Sequence, residues 1–443
     1  MRGAVKRWTI ALWVLACCSA LLACSQVPAR HQVDGPAAAL PWASAEDEGL
    51  SSAALARIGP WMAARVADGK VPGMVTMVAR HGRVVHLESA GTLDLETGAP
   101  VADDSLFRIY SMTKPIVSVA LMMLYEQGRI ALEDPVAKYV PELADLKVLV
   151  NGGRVPVERP VTVADLLRHT AGFTYGIFGN SPVDQLYREA DVLGQHDLAA
   201  MVRVLGRLPL QYQPGSRWHY SVATDVVGHL VERVSGQPLD RFLAEHLFAP
   251  LGMNDTGFAV PQAKIARFGT NHAFDPGTGQ LAVIDAPRPG PDRGEPGFVG
   301  DVTYFSGGGG LVSTAEDYMR FCLMLAAGGT LNGVRILRPE TVAMMRSDQL
   351  PAGIPGVFGG DARFGFGFAI VGDDAGRRAV GSPGSYWWFG VAGTQFWIDP
   401  VEDLIGIMLI QVQRNREPLV NEFAGLVYAA LKDPARPADG AAD

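Results

Sequence analysis

Cysteine is scarce in this chain of 443 residues, which has four. Three of them, Cys17, Cys18 and Cys24, lie near the N-terminus, so the remainder of the chain can form no internal disulfide. The fourth, Cys322, sits in an apolar helical pattern at residues 318–325. We therefore predict that Cys322 is a buried structural thiol and not a nucleophile.

The motifs of several function classes are also missing. No H-E-x-x-H and no paired His/Cys spacing occurs, so we predict no metal site, and the phosphate-binding and dinucleotide glycine motifs are absent, so we predict no cofactor. G-x-S-x-G is missing too, which argues against an α/β-hydrolase. A net charge of −8 provides no basic face, so we predict no nucleic-acid partner.

The composition is that of a globular protein with a large core. Apolar residues make up 48% and charged residues 19%, which excludes a disordered, collagen-like or coiled-coil chain. The length allows two or three domains at ~100–200 residues each. Lysine is rare and arginine supplies most of the positive charge, so a lysine inside a motif is informative.

The N-terminus has the pattern of a targeting signal. A basic segment precedes an apolar stretch at residues 8–23, which is short for a bilayer core of ~30 Å at ~1.5 Å per residue. We predict a signal peptide over residues 1–23. The sequence Leu21-Leu22-Ala23-Cys24 resembles a bacterial lipobox, which implies lipid attachment at Cys24. Residues 24–44 are rich in Pro and Ala and are predicted to form a tether.

The lipobox resemblance also implies a location. Ser25 follows the cysteine, where an Asp would resemble an inner-membrane retention signal. We therefore expect a periplasm-facing protein that contacts the outer membrane through its lipid only. A plain secretory signal cleaved near Ala23 is the alternative, and it would release the protein into the periplasm.

Strand patterns cluster at both ends of the chain. Adjacent apolar runs joined by short turns favour an antiparallel sheet flanked by helices, an α/β (α+β) fold with an inserted, mostly helical domain. The predicted strands are residues 74–79, 84–87, 364–370, 393–398 and 404–412, and the predicted terminal helices are residues 51–68 and 419–431. The predicted domains are residues 45–130 with 300–433 (α/β), 131–299 (helical insertion) and 434–443 (tail). Residues 286–300 are predicted to form a loop near the site.

One segment combines a hydroxyl and an amine at a helix start. Ser111-Met112-Thr113-Lys114-Pro115 precedes an apolar run that ends at Gly128. Proline is tolerated in a helix only near its start, so a buried helix must begin close to Ser111. Three residues make about one turn, so Ser111 and Lys114 share a face.

This spacing suits nucleophilic catalysis. Serine attacks a carbonyl only when a base takes its proton, and lysine can be that base when burial and the positive helix end lower its pKa. The same helix end directs N–H groups at a developing oxyanion. The structural alternative is that Ser111 only caps the helix and that Lys114 is exposed.

At this point the chain resembles the serine hydrolases of the class C β-lactamase and penicillin-binding-protein type, which include the family VIII carboxylesterases. Their S-x-x-K matches Ser111 and Lys114, and their P-G-x-x-W-x-Y-S matches residues 214–221, which puts Tyr220 in the place of the catalytic tyrosine. Further matches are at residues 165–172, 250–253 and 307–314.

Two departures favour esters over lactams. Val222 stands where the lactamases have the Asn of Y-x-N, and the K-T-G motif is replaced by Trp388-Phe389-Gly390, similar to the W-G-G of family VIII esterases. Without the cation of K-T-G, an apolar wall suits an acyl or alkyl ester as the small-molecule substrate. The resemblance implies that the N–H of Val391, with that of Ser111, forms the oxyanion hole.

The sequence thus predicts a serine hydrolase with an acyl-enzyme at Ser111, foremost a carboxylesterase on small to medium acyl esters. The alternatives are a β-lactamase or D-Ala carboxypeptidase, an acyltransferase, and an idle binding protein. The division of the base role between Lys114 and Tyr220 stays open, as do the roles of Trp387 and the oligomeric state. His169 and His219 are predicted to be structural.

Overall fold

The computed structural model describes residues 39–287, 297–373, 380–415 and 417–434. The predicted signal peptide, Cys24, residues 435–443 of the tail and residues 288–296 of the predicted loop lie outside them. The described residues all belong to the unit Ala37–Asp443. Its division into an α/β and an inserted domain stays a prediction. Within the described residues, no helix has the length and apolar character needed to cross a membrane.

The predicted N-terminal hairpin forms around a two-residue turn. Strand β1 (Gly73–Arg80) pairs antiparallel with β2 (Arg83–Gly91). His81 and Gly82 have φ of +48° and +75°, the left-handed conformation that a type I′ turn requires at both positions. The last residues of the predicted tether are not free, because the Ala43 N–H donates to the carbonyl of Val84 in β2 at 3.0 Å.

The main sheet is built from both ends of the chain. It has seven strands in the order β11-β12-β13-β14-β15-β1-β2, and all its neighbouring pairs are antiparallel. This confirms the predicted fold class. The C-terminal strands are β11 (Arg363–Phe364), β12 (Ala369–Ile370), β13 (Tyr386–Phe389), β14 (Gln395–Asp399) and β15 (Leu404–Leu409).

Two predicted elements need correction. The single strand expected at residues 364–370 is two short strands, β11 and β12, because Gly367 has φ +93° and turns the chain back. The helix expected at residues 51–68 is interrupted, since α1 (Ser52–Leu55) ends before α2 (Ile58–Ala67) begins.

The remaining elements lie between the two sets of sheet strands or after them. The short strands are β3 (Phe107–Arg108), β4 (Lys147–Val150), β5 (Gly153–Pro156), β6 (Asn271–Phe274), β7 (Leu281–Asp285), β8 (Val312–Ser313), β9 (Thr330–Leu331) and β10 (Val334–Arg335). The helices are α3 (Thr113–Glu126), α4 (Val163–Leu167), α5 (Pro182–Glu189), α6 (Leu198–Leu205), α7 (Ala223–Ser235), α8 (Leu239–Leu243), α9 (Ala249–Leu251), α10 (Ala315–Ala326), α11 (Pro339–Met345) and α12 (Leu419–Tyr428).

Side-chain alternation divides the core into two layers. On β1, Val75 and Met77 face the larger cluster, which contains α3 and α10, whereas Met74 and Val78 face a smaller cluster with α2 and α12. All eight residues of β1 are buried. A strand covered on both faces is apolar at successive positions, which is the pattern that the sequence shows here.

Candidate active site

The nucleophile segment is held at the start of the buried helix α3. A 3₁₀ turn at Tyr110–Met112 leads directly into α3, so the helix begins at the predicted point. Strand β3, just before it, pairs with β8, and the Ile109 N–H donates to the Leu311 carbonyl at 3.0 Å. This pairing places Ser111 beside the glycine run at residues 307–310.

Tyr110, which precedes the nucleophile, has an unfavourable backbone conformation. Its φ is +43°, a region that a bulky residue rarely adopts. The phenol oxygen accepts hydrogen bonds from Asn271 Nδ2 at 2.8 Å and from Gln413 Nε2 at 3.1 Å. Strain of this kind persists where surrounding contacts impose it, and it is concentrated at functional sites.

Ser111, Lys114 and Tyr220 meet in one hydrogen-bonded cluster. Lys114 Nζ lies 3.1 Å from Ser111 Oγ, and the Tyr220 hydroxyl donates to the same oxygen at 2.7 Å. Nζ also donates to the Gly308 carbonyl at 2.5 Å and lies 4.6 Å from the centre of the Tyr220 ring. The three residues that the sequence singled out are therefore in direct contact, although the chain separates Tyr220 from Ser111 by 109 positions.

Burial affects the amine and the phenol in opposite directions. Lys114 is 1% exposed, and burial lowers its pKa from 10.5 to about 7, opposed by the Asp225 carboxylate. Burial raises the pKa of Tyr220, against the hydrogen bond with Ser111. A low-dielectric site disfavours the charged form of each group, so near neutral pH a neutral amine is available and the phenol keeps its proton.

Asp225 is a buried carboxylate that sequence reasoning missed. Its Oδ1 accepts from Ser306 Oγ at 2.6 Å and from the Gly308 N–H at 3.1 Å, whereas Oδ2 has no hydrogen-bond partner among the described residues. Burial raises the pKa of Asp225, and the hydrogen bond from Ser306 and the charge of Lys114 oppose this. Asp225 thus holds the backbone of Gly308, whose carbonyl receives the Lys114 hydrogen bond. A carboxylate flanked by the apolar pairs Val222-Ala223 and Val226-Val227, with Thr224 between, was the available signal.

The predicted oxyanion donor lies in a tight turn after β13. The Gly390 N–H donates to the Thr394 carbonyl at 2.8 Å, and the Thr394 hydroxyl donates to the Ile109 carbonyl at 3.3 Å. A Cβ on Gly390 would lie 2.5 Å from that carbonyl oxygen, so only glycine fits. The Val391 N–H has no backbone acceptor among the described residues, and Val391 lines the cavity.

The predicted apolar wall is only partly present. Phe389 lines the cavity, but Trp388 is fully buried and its ring lies 5.5 Å from that of Tyr220. Neighbouring side chains of a strand point to opposite faces, which explains why the two differ. Trp388 therefore packs against the ring of Tyr220 and is not among the residues that line the cavity. Trp387 is partly buried beside the Trp388 ring, at 5.9 Å.

The cavity has a volume of about 900 Å³, and Ser111 is among the residues that line it. Its lining combines polar residues with six aromatic side chains, and sequence reasoning missed most of the aromatic ones because they come from separate parts of the chain. These side chains are Phe178, Tyr212, Trp218, Tyr220, Phe358 and Phe389.

The two histidines occupy different positions. His169 is 1% exposed, its ring lies 5.1 Å from that of Tyr220, and burial lowers its pKa well below the usual value. His219, in contrast, lines the cavity and lies within 3.4 Å of the Thr174 hydroxyl. Among the described residues, no group of His, Cys, Asp and Glu side chains could hold a metal ion.

Comparison with known proteins identifies the family. The beta-lactamase family model matches residues 60–429. The chain belongs to the beta-lactamase family. It is a serine hydrolase of the class C β-lactamase and penicillin-binding-protein type, as its motifs predicted.

The chain is also similar to an esterase and to a hydrolase of known structure. Esterase EstB of Burkholderia gladioli is 34% identical over 383 residues, which cover 82% of this chain and 92% of EstB. The structure of EstCE1, a hydrolase with promiscuous acyltransferase activity, has a TM-score of 0.71 at 26% identity and covers 86% of this chain and 99% of EstCE1. A penicillin-binding protein homologue from Caulobacter crescentus shares the fold, with a TM-score of 0.65 at 21% identity over 86% of this chain and 99% of that one.

Proposed function

We propose that this chain is a carboxylesterase that forms an acyl-enzyme at Ser111. The observation that carries the proposal is the contact of Ser111 Oγ with both the buried Lys114 amine and the Tyr220 hydroxyl, at the end of an aromatic cavity. The similarity to Esterase EstB supports the esterase assignment. The cavity volume lies within the range of pockets that bind small organic molecules, and we propose esters with small to medium acyl groups as the substrates.

We assign the proton transfers of the proposed cycle to two groups. Neutral Lys114 takes the Ser111 proton while Oγ attacks the ester carbonyl. The Tyr220 hydroxyl then protonates the leaving oxygen as the C–O bond breaks, and the proton on Nζ returns to the Tyr220 oxygen. In the second half, water gives a proton to Lys114 and attacks the acyl carbon, and Ser111 Oγ leaves with a proton from Tyr220. The proton on Nζ then passes to the Tyr220 oxygen again, which restores both groups.

The oxyanion is stabilised in both halves of the proposed cycle. The N–H groups of Val391 and Ser111 are the proposed donors, at the end of β13 and at the start of α3. One such donor is commonly worth about 2.7–4 kcal/mol of activation free energy.

The cavity favours an ester over a β-lactam. A lactam carboxylate needs a cation beside the nucleophile. Trp388 and Phe389 occupy the sequence position of the K-T-G cation, and the Arg217 guanidinium lies over the Tyr212 ring at 4.6 Å. We therefore assign ester hydrolysis first and β-lactam or cell-wall peptide hydrolysis second.

The decisive experiment compares two substrate classes. The purified protein is assayed with p-nitrophenyl esters of increasing acyl length and with a chromogenic cephalosporin, beside the variant Ser111→Ala and the exposed-serine control Ser347→Ala. Ester turnover should disappear in Ser111→Ala and persist in Ser347→Ala. Ester turnover that survives Ser111→Ala would disprove the mechanism, and faster cephalosporin hydrolysis would disprove the substrate class.

We also propose that the chain is lipid-anchored at Cys24 and faces the periplasm. The basic, apolar and Leu21-Leu22-Ala23-Cys24 segments of the N-terminus support this proposal. Growth with a labelled fatty acid should label the wild-type protein and leave Cys24→Ser unlabelled. Equal labelling of the two proteins would contradict it.

A further inference from the structure

Phe358 combines two unfavourable properties. Its φ is +54°, in the left-handed region that a residue with a Cβ rarely adopts, and its side chain is 60% exposed. The surrounding segment, residues 353–360, contains glycines that adopt such conformations without strain, for example Gly359 at φ +76°. A glycine at position 358 would therefore remove the backbone strain. The presence of an aromatic side chain at this position requires another explanation.

The ring of Phe358 lies against the aromatic groups behind the nucleophile. Its centre is 5.1 Å from the Trp218 ring, 6.1 Å from the Trp388 ring and 6.2 Å from the Tyr220 ring. Phe358 also lines the cavity. The strained backbone thus holds an apolar surface beside the proposed proton donor.

Phe178 presents a second exposed ring to the same tyrosine. It is 58% exposed, lines the cavity, and its ring lies 6.1 Å from that of Tyr220. The other rings around Tyr220, those of His169, Tyr175, Trp218 and Trp388, are buried. Phe178 and Phe358, here called the rim pair, are therefore the aromatic neighbours of Tyr220 with a large exposed surface in the described part of the chain.

The position of the rim pair beside Tyr220 places it near the alcohol portion of the proposed ester substrate. In the proposed cycle the leaving oxygen takes its proton from the Tyr220 hydroxyl, so the alcohol portion of the ester begins beside Tyr220. We propose that the rim pair binds this alcohol portion and selects esters of flat, apolar alcohols such as phenols and naphthols. This inference rests on the proposed function, because it uses Tyr220 as the proton donor.

The test varies the alcohol while the acyl group stays constant. Values of kcat/KM are measured for ethyl acetate and 2-naphthyl acetate with the wild-type protein, Phe358→Gly and Phe178→Ala. Each variant should lower the ratio of naphthyl to ethyl ester activity about three- to tenfold, as expected for one lost aromatic contact. The melting temperature of Phe358→Gly should not fall, because glycine relieves the strain.

Two controls separate this inference from the proposed function. Trp42→Ala removes another exposed aromatic ring, 53% exposed and outside the cavity lining, and it should leave the ratio unchanged. A series of p-nitrophenyl esters of increasing acyl length should change in parallel in both rim variants. An unchanged naphthyl-to-ethyl ratio, or a selective loss along the acyl series, would overturn the rim-pair inference, whereas the Ser111→Ala and cephalosporin results decide the proposed function.

Discussion

Lys114→Met should abolish ester turnover and make the protein more stable at acid pH. Burial lowers the pKa of Lys114 from 10.5 to about 7, so the folded protein disfavours the ammonium form that the unfolded chain accommodates in water. Each tenfold change in proton affinity corresponds to about 1.4 kcal/mol. At pH 6, where both states carry the ammonium, the cost to folding is therefore about 5 kcal/mol.

The pH dependence has a definite sign. Because the folded pKa lies below the unfolded one, the unfolded chain binds more protons between pH 7 and pH 10.5, and the wild-type protein gains stability as pH rises through this range. By pH 9 the cost of burying Lys114 has fallen to about 2 kcal/mol. The stability advantage of Lys114→Met should consequently shrink by roughly 3 kcal/mol between pH 6 and pH 9.

The change in this stability advantage between pH 6 and pH 9 does not depend on the hydrogen bonds that Lys114→Met loses. Removing the amine leaves the Ser111 hydroxyl and the Gly308 carbonyl with one hydrogen bond fewer each, at a cost of about 1–3 kcal/mol that is the same at both pH values. Urea unfolding at pH 6 and pH 9 measures the change in stability. The proteins compared are the wild type, Lys114→Met and the exposed-lysine control Lys432→Met. A stability difference between Lys114→Met and wild type that is equal at both pH values would refute the neutral-amine mechanism.

Three further variants test the groups around Lys114. Asp225→Asn removes the negative charge that favours the Lys114 ammonium, so the acid limb of kcat/KM against pH should move to lower pH, and an unmoved limb would contradict the coupling. Tyr220→Phe keeps the ring but loses the proton donor, so kcat/KM for ethyl acetate, whose alkoxide leaving group needs a proton, should fall about 10²- to 10⁴-fold, and a smaller loss would exclude this role. Gly390→Ala places a Cβ within 2.3 Å of Thr394 Oγ1 and should displace the Val391 N–H, lowering kcat about 10²-fold, whereas near-normal activity would remove Val391 from the oxyanion hole.

Some elements of the fold could be predicted from short stretches of sequence. The His81-Gly82 turn follows from conformational preference alone, and the start of α3 follows from the position of Pro115 in its first turn. The S-x-x-K spacing then required Ser111 and Lys114 to share a face. Tyr220 could be assigned only through the family motif, because no local pattern shows that a residue 109 positions away will contact Ser111.

Other parts of the site depend on long-range placement. Phe178 and Phe358 lie on loops with no periodic pattern, and only the folded chain brings them to the same tyrosine. Trp388 and Phe389 are adjacent apolar residues on opposite faces of β13. The Trp388 side chain is buried in the core, whereas the Phe389 side chain lines the cavity. Composition cannot distinguish two such neighbours unless the register of the strand is known.

Three features of the site share one physical property, which is that each is unfavourable on its own. Tyr110 has a positive φ, and Asp225 Oδ2 is buried without a hydrogen-bond partner among the described residues. Lys114 is an amine inside an apolar helix, and here the cost is connected to the chemistry, because the burial that destabilises the ammonium also leaves the amine neutral near pH 7 and thus able to accept the Ser111 proton. A surface lysine at the same spacing would cost nothing and would remain protonated at neutral pH. The stability that Lys114 removes from the fold is therefore a direct measure of its fitness as a base.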